Sequence, residues 1–315
     1  MKAVLPYDPT PSIRSLILAE KHPTVDVVLL NEADTAGFAT HIRDAEILLH
    51  VLAPVTAELM RLAPSLKLVQ KIGIGVDAID LEYAEAHGIA VCNMPGTNSA
   101  AVAELALGLM LTCLRRLVPI AQDMKTSGLW PARLAIVDGA GEIGQRCVGL
   151  VGFGGVSQRL APALQALGAM VIAHDPAVKE NDLGVEMVAL DDLLTRADIV
   201  SLHVPLLPQT RKLLNGGRIA RMRPGAIIIN TARGPLIDEA ALFDALKSGH
   251  LGAAGLDVFE QEPVRADNPL LGLDNVVATP HIAWLTDGTW RRSLGVIVEN
   301  ARRLAAGTPL LHRVV

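Results

Sequence analysis

The chain has 315 residues, of which 50% are hydrophobic, 19% charged and only 3% aromatic. That length exceeds one ordinary domain, and that composition supplies sizeable cores and excludes a disordered chain. The formal net charge of −5, spread along the chain, argues against nucleic acid or an acidic membrane surface as the main partner.

Met1–Pro6 carries one charged side chain and begins no signal-like apolar stretch. The apolar run Leu105–Leu114 falls far short of the ~20 residues a membrane helix needs. Cys92, Cys113 and Cys147 are widely spaced and form no CxxC pair, so the expected setting is a reducing cytoplasm without a zinc site.

Short β-branched runs alternate with helical stretches, the pattern of an α/β chain with parallel sheets. The first strands are predicted at Lys2–Leu5, Val25–Leu30, Glu46–His50, Leu66–Lys71 and Ile89–Cys92, with helices between them such as Ala57–Arg61 and Leu81–Ala86. One long helical pattern then runs from Ser99 to about Lys125, with Asn98 or Ser99 as its cap. It is apolar on more than one face, which predicts burial between layers, domains or subunits. A second series opens at Cys147–Val151 and continues with strands at Met170–Ala173, Asp198–His203, Ala226–Asn230, Ala253–Val258 and Asn275–Thr279. A helix over about Asp287–Ala306 follows, and the helix near 99–125 is the best domain boundary.

Two glycine runs compete as a dinucleotide fingerprint. Gly139-Ala140-Gly141-Glu142-Ile143-Gly144 fits G-x-G-x-x-G letter by letter, after the apolar run Leu134–Val137. Too few residues separate it from the next strand for a crossover helix, and no acid lies between Glu142 and Asp175. Gly152-Phe153-Gly154-Gly155-Val156-Ser157 has serine for the third glycine, yet its context is right. It follows a strand and opens a helix that Gly168 stops, and Asp175 ends the next strand 21 positions beyond Gly154 (175 − 154). A dinucleotide site needs that order, with an acid about 20 residues on for the ribose hydroxyls. Gly152, Gly154, Gly155 and Val156 are thus placed at a pyrophosphate on a helix N-terminus. Asp175 would repel a 2′-phosphate, which favours NAD over NADP.

Chemistry-bearing residues follow three buried strands. Thr231-Ala232-Arg233-Gly234 follows one, Asp257, Glu260 and Glu262 follow the next, and His281 follows the third. A cation can clamp a carboxylate, and a histidine paired with an acid can shuttle a proton. The acids lie on a turn that implies no octahedral geometry, so no metal is expected.

Thr231–Gly234, Gly255–Pro263 and Thr279–Trp284, in this order after the Gly152 run, resemble the D-isomer-specific 2-hydroxyacid dehydrogenases, a family that includes phosphoglycerate dehydrogenases and glyoxylate/hydroxypyruvate reductases. Gly73-Ile74-Gly75-Val76-Asp77 and Val102-Ala103-Glu104 extend the resemblance over essentially the whole chain. It implies two doubly wound parallel-sheet domains, an NAD-binding Rossmann domain over 99–283 inserted into a flavodoxin-like substrate domain formed by 1–98 and 284–315. It implies Arg233 as substrate clamp, His281 as acid/base and Glu262 as its partner, with the Ile74 and Gly75 N–H groups on the substrate carboxylate. Asp257 would lie at the nicotinamide end near Thr231 and Ala232 (or merely cap a turn), and His203 with Pro205 beside the adenine. Some phosphoglycerate dehydrogenases carry an arginine where Lys71 stands, so Lys71 either holds a phosphate or second carboxylate or is a solvated surface lysine. Asn98 likewise matches their hinge pattern. The resemblance further implies a homodimer through the NAD domain and its long helix. With the chain ending at Val315, serine feedback through a C-terminal extension is not expected. The rival reading is a non-catalytic NAD(H)-sensing protein on the same fold, which Arg233, Glu262 and His281 disfavour.

Overall fold

Ile47–His50, Leu68–Lys71, Cys147–Val151, Ile199–Leu202 and Ala226–Asn230 are strands buried at every position, as parallel strands covered on both faces must be. They belong to two α/β units in a computed structural model that describes residues 1–19, 22–127 and 138–315. One unit comprises Met1–Asn98 with Trp284–Val315, the other Ser99–Ala283.

The first unit runs β1 (Lys2–Pro6), α1 (Pro11–Ala19), β2 (Asp26–Leu30), α2 (Thr35–His41), β3 (Ile47–His50), α3 (Ala57–Arg61), β4 (Leu68–Lys71), α4 (Leu81–Ala86) and β5 (Ala90–Cys92). Among the described residues its strands form one parallel sheet in the order β2-β1-β3-β4-β5, the flavodoxin-like arrangement. Ile47 and Leu49 point into one core and Leu48 into the other, so the two-residue strand period feeds both faces.

The second unit runs α5 (Ser99–Arg115), α6 (Leu117–Ser127), β6 (Cys147–Val151), α7 (Gly155–Ala166), β7 (Met170–His174), β8 (Glu186–Met187), α8 (Leu190–Arg196), β9 (Ile199–Leu202), α9 (Gly216–Ile219), β10 (Ala226–Asn230), α10 (Glu239–Lys247), β11 (Leu251–Leu256) and β12 (Val276–Ala278). Its parallel sheet has the order β12-β11-β10-β9-β6-β7-β8, a Rossmann sheet whose direction of winding reverses beside β6. α5 and α7 cover one face, where Leu109, Met110, Leu160 and Leu164 meet Val148, Leu150 and Ile229. α8 and α10 cover the other, where Leu193, Leu194 and Leu242 meet Val200, Leu202 and Ile228. The expected two-sheet α/β architecture is present.

Two local expectations change. The single helix predicted from Ser99 to Lys125 is two, broken at Arg116, whose φ is 52°. Pro119 explains the break: it has no N–H for the Arg115 carbonyl, and its ring would strike that carbonyl in a continuous helix. Asn98 does not cap α5 through its side-chain oxygen, because that buried atom has no hydrogen-bond partner among the described residues. The apolar run Leu134–Val137 lies outside the described residues. The glycines after it do not open a long helix; Ile143–Gln145 make one 3-10 turn before β6. Gly144 has a packing reason instead, since a Cβ there would lie 2.5 Å from the Leu167 carbonyl oxygen.

The chain returns to the first unit through α11 (Asp287–Ala306), capped at its start by Thr286 and at its end by left-handed Gly307. Trp290, Leu294, Ile297 and Ala301 insert into the core with Leu5, Ile17 and Leu49. Full burial of each large apolar side chain there stabilises the unit by about 1.5–3 kcal/mol. Asn300 is also fully buried, and its amide nitrogen donates to Gln70 Oε1 at 2.6 Å while its oxygen accepts from the Leu311 N–H at 2.7 Å. Gln70 in turn donates to the Cys92 carbonyl at 3.2 Å. No described helix is long and apolar enough to cross a membrane. The Asn300→Leu variant leaves Gln70 Oε1 and the Leu311 N–H unpaired, and each such group costs about 1–3 kcal/mol. A lowered urea midpoint at unchanged slope is the expected result of equilibrium unfolding.

Candidate active site

The candidate site residues of the second unit stand at the carboxyl ends of its strands. Gly152, Gly154, Gly155 and Val156 follow β6, Asp175 follows β7, and His203 and Pro205 follow β9. Gly152 turns the chain at φ 92°, where a Cβ would lie 2.5 Å from the His203 carbonyl oxygen. Two loops on either side of the reversal in winding therefore touch through a residue that must lack a side chain. At Gly154 a Cβ would meet nothing within 4 Å, and no side chain caps the N-terminus of α7. Open space in front of free N–H groups and a positive dipole end suits a pyrophosphate, so the loop passes the test for an NAD site.

Ser157, in place of the third glycine, is fully buried and donates to the Gly152 carbonyl at 2.6 Å. It braces the turn, a role the sequence reading did not assign. Asp175 is half-buried, and its carboxylate accepts from the Phe153 N–H and the Ala177 N–H, both at 2.8 Å. His203 pairs with the Ser201 hydroxyl at 2.9 Å, and burial lowers its imidazole to about 4, so it is neutral at pH 7.

β10 delivers Thr231, Ala232 and Arg233. Asn230, fully enclosed at the strand's end, shapes their turn by donating to the Arg233 carbonyl and accepting from the Ala232 N–H, at 2.8 and 3.0 Å. The buried Thr231 hydroxyl oxygen has no partner among the described residues. A Cβ on Gly234 would overlap the Phe259 carbonyl, so only glycine lets this turn lie against the loop after β11. The sequence assigned no role to Asn230 or to Gly234 itself, although a lone amide ending Ile227–Ile229 is a usable signal.

That second loop carries Glu262, whose Oε1 accepts from the Phe259 N–H at 3.0 Å and whose Oε2 pairs with His281 Nδ1 at 2.6 Å. Burial opposes its charge, but the His281 hydrogen bond and charge, the Phe259 N–H and the Arg233 charge outweigh it and lower the pKa. His281 follows β12 with φ 54° and a side chain 19% exposed. Asp257 is fully enclosed and holds the segment around His281: it accepts from the Thr279 hydroxyl and from the Ile282 and Ala283 N–H groups. Burial raises its pKa despite those bonds. The turn-holding alternative for Asp257 is what its contacts display. Thr279, directly before Pro280, is a participant the sequence reading passed over. A cavity of about 280 Å³ lies at the opposite edge of the sheet, lined by Asp198, Gly225, Gly252 and Asn275, away from these groups.

In the first unit, Lys71 ends β4 and Ile74 and Gly75 follow it. Lys71 is not a solvated surface lysine. It is only 6% exposed, and its amine donates to the Val51 carbonyl. His50, its partner in the β3–β4 register, is lowered to about 4 by burial and by the Lys71 charge. Asn93 Nδ2 and the Met94 N–H hold the Ile74 and Gly73 carbonyls at 3.0 and 2.8 Å. Among the described residues, no backbone hydrogen bond engages the Ile74 or Gly75 N–H.

Because the folded-state pKa of Glu262 lies below its ordinary 4.5, its stabilising contribution is fully present above that value and lost as pH falls through the lowered one. The wild-type advantage over Glu262→Gln in unfolding free energy is expected to shrink toward acid pH; a gap independent of pH contradicts the shift.

Residues 107–283 match the family model described as D-isomer specific 2-hydroxyacid dehydrogenase, NAD binding domain. The chain is 46% identical over 240 residues to a hydroxypyruvate reductase of Thermotoga maritima, covering 76% of this chain and 77% of that protein. It is 41% identical over 287 residues to a D-3-phosphoglycerate dehydrogenase of Mycobacterium bovis, covering 90% of this chain but 53% of that one, so it spans about half the length of that relative. The solved D-lactate dehydrogenase of Lactobacillus jensenii with NAD+ superposes with a TM-score of 0.82 at 28% identity, over all of both chains. With its fingerprint loop, its carboxylate–histidine pair and these likenesses, the chain belongs to the D-isomer-specific 2-hydroxyacid dehydrogenases and takes NAD as its cofactor.

Proposed function

We propose that the protein interconverts a small D-2-hydroxy acid and its 2-oxo acid, of the hydroxypyruvate, glyoxylate or phosphoglycerate type. The observation that carries this reading is the 2.6 Å pair between His281 Nδ1 and Glu262 Oε2. Glu262 fixes the imidazole by Nδ1, which leaves Nε2 to give a proton to a carbonyl oxygen or to take one from a hydroxyl. Arg233, close enough to bias Glu262 electrostatically, supplies the cation for the substrate's carboxylate. Ile74 and Gly75 of the first unit offer backbone N–H groups suited to a carboxylate. NAD, when bound, supplies or takes up the hydride. Gly152, Gly154, Gly155 and Val156 hold its pyrophosphate and Asp175 its ribose, where a 2′-phosphate would meet negative charge. Thr231 and Ala232 serve the nicotinamide end, and His203 with Pro205 the adenine.

The enclosure of Lys71 favours an unphosphorylated acid, because its amine is directed to the Val51 carbonyl. A homodimer is part of this reading, supported by Leu117 and Val118, 49% and 46% exposed at the start of α6; light scattering that gives a monomer removes it.

NADH consumption with glyoxylate, hydroxypyruvate, phosphohydroxypyruvate and pyruvate tests the reaction. Binding of NADH without turnover of any 2-oxo acid favours a non-catalytic NAD(H) sensor. His281→Ala should keep NADH affinity and slow reduction on the order of 100-fold or more; unchanged turnover removes the acid/base role. Lys71→Ala should affect phosphorylated and unphosphorylated acids alike, and a loss confined to the phosphorylated one reverses the substrate preference.

A further inference from the structure

We propose that Thr279 is a positioning residue for His281, acting through the buried carboxylate of Asp257. This rests on reading His281 as the acid/base and adds a requirement for how its ring is held.

Four hydrogen bonds from one short segment converge on Asp257. The Thr279 hydroxyl and the Ile282 N–H donate to Oδ1 at 2.6 and 2.9 Å, the Ala283 N–H donates to Oδ2 at 2.8 Å, and the His281 N–H donates to the Asp257 carbonyl at 2.7 Å. Thr279 also continues the sheet, since its N–H donates to the Leu256 carbonyl at 2.9 Å. Asp257 is fully enclosed, so no water competes for these bonds and each is stronger than on a surface.

The segment needs holding because His281 has a φ of 54°. Side chains other than glycine occupy that region only where the surroundings over-determine it. The conformation carries the ring to Glu262. Three of the four donors are backbone groups that any substitution other than proline preserves. The Thr279 hydroxyl is the side-chain donor, and it must donate, because an ionised carboxylate only accepts. Burial works against the charge on Asp257, and the hydroxyl is the largest influence opposing burial. The charged groups in play are His281 facing Asp257, Glu262 facing His281, and Arg233 acting on Glu262.

Thr279→Val keeps the branched shape and removes the donor, whereas Thr279→Ser keeps the donor. In the full-length enzyme with NADH and its best 2-oxo acid, Thr279→Val is expected to lower kcat about tenfold or more, as loss of a hydrogen bond to a charged group does. The KM for NADH should stay unchanged. The acid limb of the kcat profile should move to higher pH, since a carboxylate stripped of its donor protonates more readily. Thr279→Ser should restore both. A purely structural role lowers the thermal midpoint without displacing the limb, and that result, or an unchanged kcat, overturns the proposal. Thr279→Ala gives the same reading if valine prevents folding.

The His281→Ala background separates the two inferences. There Thr279→Val should add nothing, because the ring it positions is absent. Full additivity overturns the positioning role alone, whereas wild-type turnover by His281→Ala itself overturns the acid/base reading beneath it.

Discussion

A parallel sheet puts the carboxyl ends of all its strands on one edge, and the Glu262–His281 pair depends on that constraint. β6, β7, β9, β10, β11 and β12 each deliver a loop to the same edge of the second unit's sheet. Arginine, carboxylates and histidine far apart in the chain become neighbours without any long excursion. The loops are then locked to one another. Gly152 lies against the His203 carbonyl and Gly234 against Phe259, contacts that admit no side chain. Asp257 ties the end of β11 to the segment after β12. The Glu262–His281 pair joins the two loops that the last two of these closures hold.

Polar groups are buried at several of these points, and burial is tolerated because partners are provided. Removing a carboxylate such as Asp257 from water costs several kcal/mol when it is left alone; here a hydroxyl and two N–H groups face it. The Asn300–Gln70 pair does the same for two amides between α11 and the first sheet. Such networks specify one arrangement as well as stabilising it, because an apolar slip would strand their members.

Much of this was legible in the sequence. Ile227–Ile229 and Val148–Val151 read as buried strands because parallel strands are apolar on both faces. Gly152 was separable from the better-spelled Gly139–Gly144 run by what followed it, a crossover helix and an acid at the right distance. The break at Arg116 was also written there, in Pro119, but the apolar pattern on either side masked it. What could not be read were approaches between segments remote in sequence. Nothing local to Gly234 announces Phe259, and nothing local to Thr279 announces the carboxylate 22 residues earlier. Lys71 was ambiguous for the same reason, since its burial depends on the neighbouring strand that ends at His50.

The first unit is assembled from two stretches of chain, Met1–Asn98 and Trp284–Val315. During synthesis its five strands leave the ribosome before the inserted unit, yet the helix that fills one face of their core emerges after it. Ser99–Ala283 is complete as a sequence before Trp290, Leu294 and Ile297 appear. Domains generally fold as units as they are made, so vectorial synthesis favours the inserted unit as the earlier to mature. Until then the face of the first sheet that receives α11 is covered only in part, by Ile13 and Ile17 of α1, and Leu5, Ile47 and Leu49 lack their remaining partners. A chain stalled just short of Trp284 thus presents a finished nucleotide-binding fold beside an adhesive half-built one, the kind of nascent surface that chaperones shield.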